Sequence, residues 1–189
     1  MTRDDAWEIL TEYTKSESLR RHALTVEGAM RWFARRDGHD EEAWAIAGLL
    51  HDFDYEIHPT LEKHPQEGSP ILAERGVPED IRTAILGHAS HTGVPRETLM
   101  AKTLFAVDEL SGFTYAVALV RPSKSIHDVK PKSVKKKLKD KSFAAKVNRA
   151  EITQAMEELG VEPTAHIQDV IDAMRSVAEE IGLSGAVKQ

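Results

Sequence analysis

Four ionisable residues stand in apolar helical surroundings, where an uncompensated charge is costly. His22 lies beside the apolar stripe of its helix, His51 and Asp52 end the apolar run GLLHD, and Asp108 sits inside AKTLFAVDELSGFTYAVALV. A buried carboxylate without a partner destabilises the fold or loses its charge. Two imidazoles and two carboxylates are also ligands that suit zinc, manganese, iron or nickel, and magnesium less well. These four residues are therefore a candidate metal site.

Taken singly, each of these residues has a more ordinary interpretation. A His or Asp in an apolar helix is more often a hydrogen-bonded core or capping residue than a metal ligand. The order His, His-Asp, Asp is more specific, because an adjacent pair ends one apolar helix and a further Asp lies inside another. The combined pattern favours a metal site over four unrelated core residues.

The composition restricts both the class of protein and the ligands available to a metal. The 189 residues include 41% hydrophobic and 30% charged residues, which is typical of a soluble globular domain. The chain contains no cysteine, so imidazole and carboxylate must bind any metal. The sequence has no leader-like segment and no apolar run of membrane-spanning length, so we expect a cytoplasmic protein without a membrane partner.

Helical periodicity runs through almost the whole chain, and strand-like alternation is scarce. The first predicted helix begins after Ser16 or Ser18 and runs to about residue 36, with Gly38 as its stop. Pro65 is predicted as the first residue of its helix, with His64 as the cap. Further predicted helices cover about 40–53, 65–75, 79–88, 96–120, 150–159 and 164–181, with one or two short Lys-rich helices in 133–149. The predicted fold class is all-α.

We expect one compact unit made of two parts. Residues 1–120 would form the metal-binding core, and residues 121–189 would form a C-terminal helical extension of Lys-rich and C-terminal helices packed on it. Between Arg121 and Arg149, eleven Lys or Arg accompany two Asp, a local charge of +9, so the remainder carries −15 within the net −6. This asymmetry indicates a basic face that can meet an anionic ligand.

The basic segment suggests the kind of partner. Arg121 and Lys124 directly follow the helix that carries Asp108, so we expect them near the mouth of the site, binding phosphate. The lysines at 135–137 are by default a solvated helix face. Binding of single-stranded nucleic acid normally adds stacking aromatics, and only Phe143 is nearby. A small phosphorylated metabolite or nucleotide is the expected partner, and nucleic acid is less favoured.

The pattern His22, His51-Asp52, Asp108 resembles the signature of the HD superfamily of metal-dependent phosphohydrolases, over roughly residues 18–120. The resemblance implies an all-α HD-domain helical bundle in which these four residues bind metal. The segments HDFDYE, LVRPSKS and SVKKKLKDKSFAAKVNR also resemble an uncharacterised bacterial group of HD-domain, or HDIG-domain, hydrolase-like proteins. That closer likeness informs the fold more than the substrate.

The same resemblance implies a second metal ion. In the HD-GYP cyclic-dinucleotide phosphodiesterases and the mixed-valence diiron oxygenases, two more histidines between the HD pair and the last Asp bind a second ion, bridged by the Asp of the pair. His64 and His88 have that order and a comparable spacing. We therefore expect two ions with Asp52 bridging. The cofactor would be one or two divalent ions of Mn, Fe, Zn, Ni or Mg.

The other histidines are less informative. His91 has three open interpretations, which are a ligand, a substrate contact and a solvent-exposed residue. Its context HASH differs from the HHE of the HD-GYP group, and the GYP element is absent from the sequence, which argues against a cyclic-dinucleotide phosphodiesterase of that type. The remaining histidines are predicted to lie in turns or on polar faces: His39, His58, His127 and His166.

The expected chemistry is attack by a metal-activated water on a phosphoryl group. Asp52 would orient that water, and Asp54 would either accept hydrogen bonds from ligand imidazoles or act as a general acid or base. Glu56 is predicted to be solvated. The sequence thus predicts a metal-dependent phosphohydrolase for a small phosphate ester or nucleotide. Two alternatives stay open, namely a diiron oxygenase of the HD superfamily and a non-catalytic binding module stabilised by metal.

Overall fold

The computed structural model describes residues 1–185, and the all-α prediction is confirmed for them. The described part contains nine α-helices and no strand beyond one isolated bridge between Ser125 and Ser184. Short 3₁₀ turns follow α5 and α6. The helices are α1 (Arg3–Tyr13), α2 (Glu17–Asp37), α3 (Glu41–Leu50), α4 (Gly68–Glu74), α5 (Glu79–Gly87), α6 (Leu99–Leu119), α7 (Pro131–Leu138), α8 (Arg149–Leu159) and α9 (Pro163–Ser176).

Helices α2 and α3 begin where the sequence predicts them. The Ser16 side chain caps α2 by accepting from Leu19 N–H, and Gly38 ends it in the left-handed conformation, at φ 77°. Asp40 caps α3 by accepting from two backbone N–H groups. Helix α3 ends at Leu50, not near residue 53, because the chain there tightens into turns, with Phe53 N–H bonded to the carbonyl of Leu50. The His-Asp pair therefore lies at the turn that follows α3.

Helix α1 was not predicted from the sequence. Thr2 and Asp5 form a capping box at its start, in which each side chain accepts from the other residue's backbone N–H. Its buried residues Ala6, Ile9 and Leu10 belong to the main core, and the helix packs on α3. The Thr-x-x-Asp sequence followed by an apolar stripe is a signal that could have found this helix.

Helices α2, α3 and α6 form the centre of the fold and carry the candidate ligands. Helix α3 lies very close to α2 at Gly48, where an added Cβ would come within 2.9 Å of the Val26 carbonyl oxygen. The buried side chains of Met30 and Phe33 on α2 share the main core with Leu104 and Phe113 on α6. Because these helices are packed against one another, the side chains at their crossing have little room to move.

Two helices start three residues later than predicted. Helix α4 begins at Gly68 rather than at Pro65, because residues 60–67 form hydrogen-bonded turns. His64, the predicted cap, directs its ring at Asp52 and Asp54 instead. Helix α6 begins at Leu99 rather than at Arg96, because Thr98 caps it by accepting from Ala101 N–H. Both errors arise from proline, which permits a helix start without requiring one.

The C-terminal helices share the core of the N-terminal ones. Helix α8 packs on α6, and α9 packs on α2 and α6. His166 on α9 is buried, not exposed as predicted, and its Nε2 donates to the Ala106 carbonyl of α6 at 3.0 Å. The face of α9 that carries His166 packs against α2 and α6, so this histidine lies in the core and not on a polar face. The division at 120/121 stays a prediction.

No helix among residues 1–185 combines the length and the apolar character that a membrane crossing requires.

Candidate metal centre

Six residues from separate parts of the chain converge on one region. They form two groups in which one ligand atom from each residue lies within 4.8 Å of the others. The first group is His22, His51 and Asp108, and the second is Asp52, His64 and His88. Helix α2 supplies His22, α6 supplies Asp108, and the end of α5 supplies His88. The structure thus brings together all six residues predicted as ligands.

In the first group, three atoms face one small volume. The Oδ1 atom of Asp108 lies 2.9 Å from Nε2 of His22 and 3.4 Å from Nε2 of His51. The two Nε2 atoms are 3.2 Å apart. These distances leave one position for a cation that all three side chains could bind.

Asp52 lies between the two groups. Its Oδ1 atom is 3.1 Å from Nε2 of His64 and 3.4 Å from Nε2 of His88. Its Oδ2 atom faces the first group, 3.5 Å from Nε2 of His51 and 3.8 Å from Nε2 of His22. Each carboxylate oxygen therefore faces a different pair of imidazoles, which is the arrangement of a bridging ligand.

Hydrogen bonds orient three of the four imidazoles with Nε2 toward the centre. Nδ1–H of His51 donates to the Gly48 carbonyl at 2.8 Å, and Nδ1–H of His88 donates to the carbonyl of Ile85. Nδ1–H of His64 donates to Asp54 Oδ1 at 2.8 Å. In a neutral imidazole with Nδ1 protonated, Nε2 holds a lone pair. Converging lone pairs require a proton or a cation between them, so the donor set fits divalent metal.

The electrostatics of the cluster also favour a cation. Burial alone would raise the pKa of Asp52, but the charge of His51 and hydrogen bonds from His64 and His88 hold it well below its usual range. Burial would also raise the pKa of Asp108, but the charge of His51, together with hydrogen bonds from His22 and His51, holds this pKa well below its usual range. Burial lowers the pKa of His64, yet hydrogen bonds to Asp52 and Asp54 raise it to about 9. The ionised carboxylates of Asp52 and Asp108 thus favour positive charge at the neighbouring imidazoles or on a bound cation.

We expect metal binding to release protons and to strengthen as the pH rises. With its pKa at about 9, His64 is protonated at pH 7 in the metal-free protein, and this proton must leave before Nε2 can bind metal. The apparent affinity for Mn²⁺ should rise about tenfold from pH 7 to 8 for each proton displaced and level off above the pKa. Calorimetric titration in buffers of different ionisation enthalpy gives the proton count. Affinity that does not change between pH 6 and 8 would contradict the cluster's electrostatics.

Asp54 lies behind His64. It is fully buried, its Oδ1 accepts from His64 Nδ1–H, and its Oδ2 has no hydrogen-bond partner among residues 1–185. An added Cβ at Gly68 would come within 2.6 Å of the Asp54 carboxylate, so the start of α4 holds that carboxylate in place. Of the two roles considered for Asp54, this position supports the orientation of a ligand imidazole and not a general acid or base in contact with substrate.

Replacement of Asp54 by asparagine should weaken the second group selectively. Loss of this acceptor charge makes His64 a poorer and less fixed ligand, so the affinity for the second ion should fall by about 10- to 100-fold. Metal analysis after dialysis should then show a loss confined to one of two ions. Glu56→Gln is the matched control, because Glu56 is exposed and accepts from Lys15 N–H and Ser16 N–H, outside the cluster. Equal metal content in both variants would contradict the assigned role.

A cavity of about 510 Å³ opens over the two groups. The side chains of Tyr55 and Leu61 line part of it, as does His91. His91 belongs to neither ligand group, and its Nε2 donates to the His64 carbonyl at 2.8 Å. Of the three interpretations of His91, the geometry does not support a metal ligand. His91 lies in the cavity wall, where a substrate could contact it.

Three charged residues that line the cavity were missed from the sequence, namely Glu109, Lys146 and Glu151. Glu109 lines it, and burial together with the Asp108 charge raises the pKa of Glu109 to about 7. Lys146 lines it from the loop before α8. Glu109 could have been suspected as the neighbour of Asp108, but nothing local in the sequence distinguishes Lys146 from the other lysines of its segment.

Arg121 and Lys124, predicted to bind substrate, do not line this cavity. Asp108 lies in the middle of α6 and Arg121 beyond its end, so thirteen residues place them roughly 20 Å apart along the helix axis. Arg121 instead donates to the Asp128 carbonyl and to Ser133 Oγ. Lys124 is exposed in the following turn. The expected position near the mouth of the site was wrong, because following a helix in sequence does not mean lying near its middle.

A second cavity, of about 340 Å³, adjoins the metal groups between α2 and α6. It shares His22 and Gly112 with the larger cavity, and Tyr115 and Leu119 continue its wall. Asp108, Gly112, Tyr115 and Leu119 recur at helical spacing and thus share one face of α6. A groove therefore runs along this face, starting at the metal ligands.

The comparison with protein families matches the HD domain to residues 19–112. The matched segment contains all six candidate ligands. No curated protein and no solved structure matches the chain. HD domains are generally metal-dependent hydrolases, which agrees with a His and Asp cluster suited to divalent metal.

Proposed function

The chain belongs to the HD-domain family, and from this premise we propose that it is a phosphohydrolase that acts on a small phosphate ester or nucleotide. The observation that carries the proposal is the position of Asp52, whose two oxygens face two separate pairs of imidazoles. Sites with two bridged cations are suited to in-line displacement at phosphorus, because the attacking and leaving oxygens can both be stabilised.

The residues around the cluster have complementary parts in this proposal. His22, His51 and Asp108 would hold one ion, His64 and His88 the other, and Asp52 both. Divalent ions there would make water acidic enough to attack near neutral pH and would withdraw charge from the phosphoryl group. Asp52, through its position between the ions, would orient that water. Lys146 at the cavity wall would attract the phosphate dianion.

The groove along α6 would take the organic part of the ester. It begins at His22 and Gly112 and continues past the Tyr115 ring, whose hydroxyl donates to the Ile181 carbonyl at 3.0 Å. A ring fixed in this way offers a ready apolar surface. The substrate class that fits best is therefore a phosphate ester with a partly apolar or aromatic group.

A panel of phosphate esters tests this proposal. Protein loaded with Mn²⁺ should release phosphate from at least one member, lose activity with a chelator and recover it when metal is restored. Esters with an aromatic group, such as 1-naphthyl phosphate, should be better substrates than glycerol 2-phosphate. Metal-loaded, folded protein that releases phosphate from no phosphomonoester, phosphodiester or nucleotide in the panel would contradict the function.

One observation also supports the oxygenase alternative. Four imidazoles and two carboxylates form a ligand set that suits iron as well as redox-inert ions. Metal analysis of protein purified without oxygen separates the two functions. Two irons per chain with a mixed-valence electron paramagnetic resonance signal would favour the oxygenase, whereas a redox-inert ion together with phosphatase activity favours the hydrolase.

A further inference from the structure

A third cavity, lined by basic residues, lies between the end of α6 and α7, away from the metal centre. We refer to this cavity, of about 480 Å³, as the basic cavity. Five cationic residues line it, and none of its lining residues is acidic. These cations are Arg121, Lys130, Lys132, Lys136 and Lys137.

One cation of the basic cavity is held in place by the fold. The guanidinium of Arg121 donates to the Asp128 carbonyl and to Ser133 Oγ, each at 2.8 Å. Its Nε is buried and has no acceptor among the described residues. A guanidinium fixed in this way loses little freedom when it binds an anion.

The start of α7 adds to the same positive potential. Helix α7 begins at Pro131, and no side chain caps it. Lys130, Lys132 and Ser133, which surround this start, all line the basic cavity. The positive end of a helix dipole favours negative charge, so it acts in the same direction as the lysines.

Most of this positive charge is not neutralised by the protein. Within residues 1–185, Lys130, Lys132 and Lys136 form no ion pair with a carboxylate. Lys137 alone is paired, 3.3 Å from Asp140, and it also lies over the Phe143 ring. Like charges concentrated around one cavity repel one another, and a bound anion relieves that repulsion.

We propose that the basic cavity binds a small soluble compound that carries two or more phosphate groups. The cavity volume suits a small ligand, and Val117, Val120 and Pro122 give it an apolar wall for a ring or chain. The residues that line the basic cavity include no aromatic ring, and Phe143 packs against Phe113 and lies under the Lys137 ammonium instead, so the cavity offers no ring on which nucleic-acid bases could stack. Outside residues 121–149 the chain carries −15, which disfavours extended polyanions such as nucleic acid or an anionic membrane.

The proposal is independent of the phosphohydrolase function, because the basic cavity shares no residue with the metal centre. Calorimetric titration of the 189-residue chain with inorganic triphosphate, without added metal, tests it directly. One triphosphate should bind per chain. Reversal of charge in Lys132→Glu/Lys136→Glu should weaken binding at least about tenfold, because both residues line the cavity and are exposed.

The matched control is Lys139→Glu/Lys141→Glu. It changes the net charge equally in the same segment, but both lysines are exposed and outside the basic cavity. Binding to this control should stay within about threefold of the unaltered protein. For Lys132→Gln/Lys136→Gln, which removes charge without reversing it, the affinity for triphosphate should lie between those of the two reversal variants. This milder variant keeps the test valid if Lys132→Glu/Lys136→Glu misfolds.

Three results would overturn the proposal. The first is that triphosphate does not bind. The second is that the two reversal variants weaken binding equally, which would indicate a diffuse charge effect. The third is that a short single-stranded RNA or phosphatidylglycerol vesicles bind more tightly than triphosphate, and that Lys132→Glu/Lys136→Glu abolishes this binding. That result would assign the surface to a macromolecule or a membrane.

Discussion

Asp52→Asn should abolish the binding of both metal ions and lower kcat/KM for phosphate esters by at least about 10³-fold. Among residues 1–185, Asp52 is the one residue whose two oxygens face both groups of imidazoles. Asparagine keeps the shape but removes the charge and half of the metal-binding oxygens. The remaining imidazoles would then face each other without the carboxylate that offsets the positive charge between them. Metal content by mass spectrometry and steady-state kinetics measure the two effects.

A control for Asp52→Asn is Asp4→Asn, which removes one charge at a side chain that is 95% exposed. It should leave both metal content and kinetics unchanged. The folded state of Asp52→Asn is checked by its helical circular dichroism, since burial of an uncharged amide in this cluster costs less than burial of an unpaired carboxylate. An Asp52→Asn protein that retains two ions and activity within about tenfold of the original would refute the bridging role.

Gly48→Val should destabilise the fold and disturb the site together. The added Cβ would lie 2.9 Å from the Val26 carbonyl oxygen and 3.0 Å from backbone atoms of Glu27, so α3 must move away from α2. Overpacking of this kind costs about 3 kcal/mol, because backbone cannot yield as a flexible side chain does. For a chain of this size the melting temperature should fall by roughly 6 to 12 °C. Thermal unfolding followed by circular dichroism measures the change.

The effect on the site follows from the position of Gly48. Its carbonyl accepts the hydrogen bond that orients His51, and α2 carries His22 on the other side of the same crossing. Separation of the helices should therefore weaken the first metal group as well. Gly112→Ala is the contrasting glycine variant, because its Cβ would make an ordinary contact at 3.6 Å and α6 gains helix propensity. A Gly48→Val protein as stable as Gly112→Ala would contradict the close crossing.

The core of the site could be predicted because its chemistry conflicts with its surroundings. Asp108 in an apolar helix and a His-Asp pair at the end of another are locally unfavourable, and such conflicts point to function. His64 and His88 lack that signal. They were found through the resemblance to the HD superfamily, and the structure shows why, since turns rather than a regular helix position His64. The family prediction is confirmed by the HD-domain match.

What sequence reasoning missed depends on tertiary packing. Lys146 reaches the cavity because α8 packs on α6 and carries the preceding loop with it, and no local pattern encodes that approach. Arg121 and Lys124 were expected near the site because they follow the helix that carries Asp108. They lie beyond the end of α6, however, and a straight helix keeps its end far from its middle. His166 is buried because α9 faces α6 with a side that contains one polar residue. These errors concern how elements meet, whereas α1 was missed although its capping box is a local signal.

We expect two cations to occupy adjacent positions bridged by Asp52. Anomalous X-ray diffraction from crystals soaked in Mn²⁺ tests it most directly, because it locates each ion without reference to activity. We expect two peaks about 3.5 to 4 Å apart, one beside His22, His51 and Asp108 and the other beside His64 and His88. A single peak, or none beside His64 and His88, would contradict it.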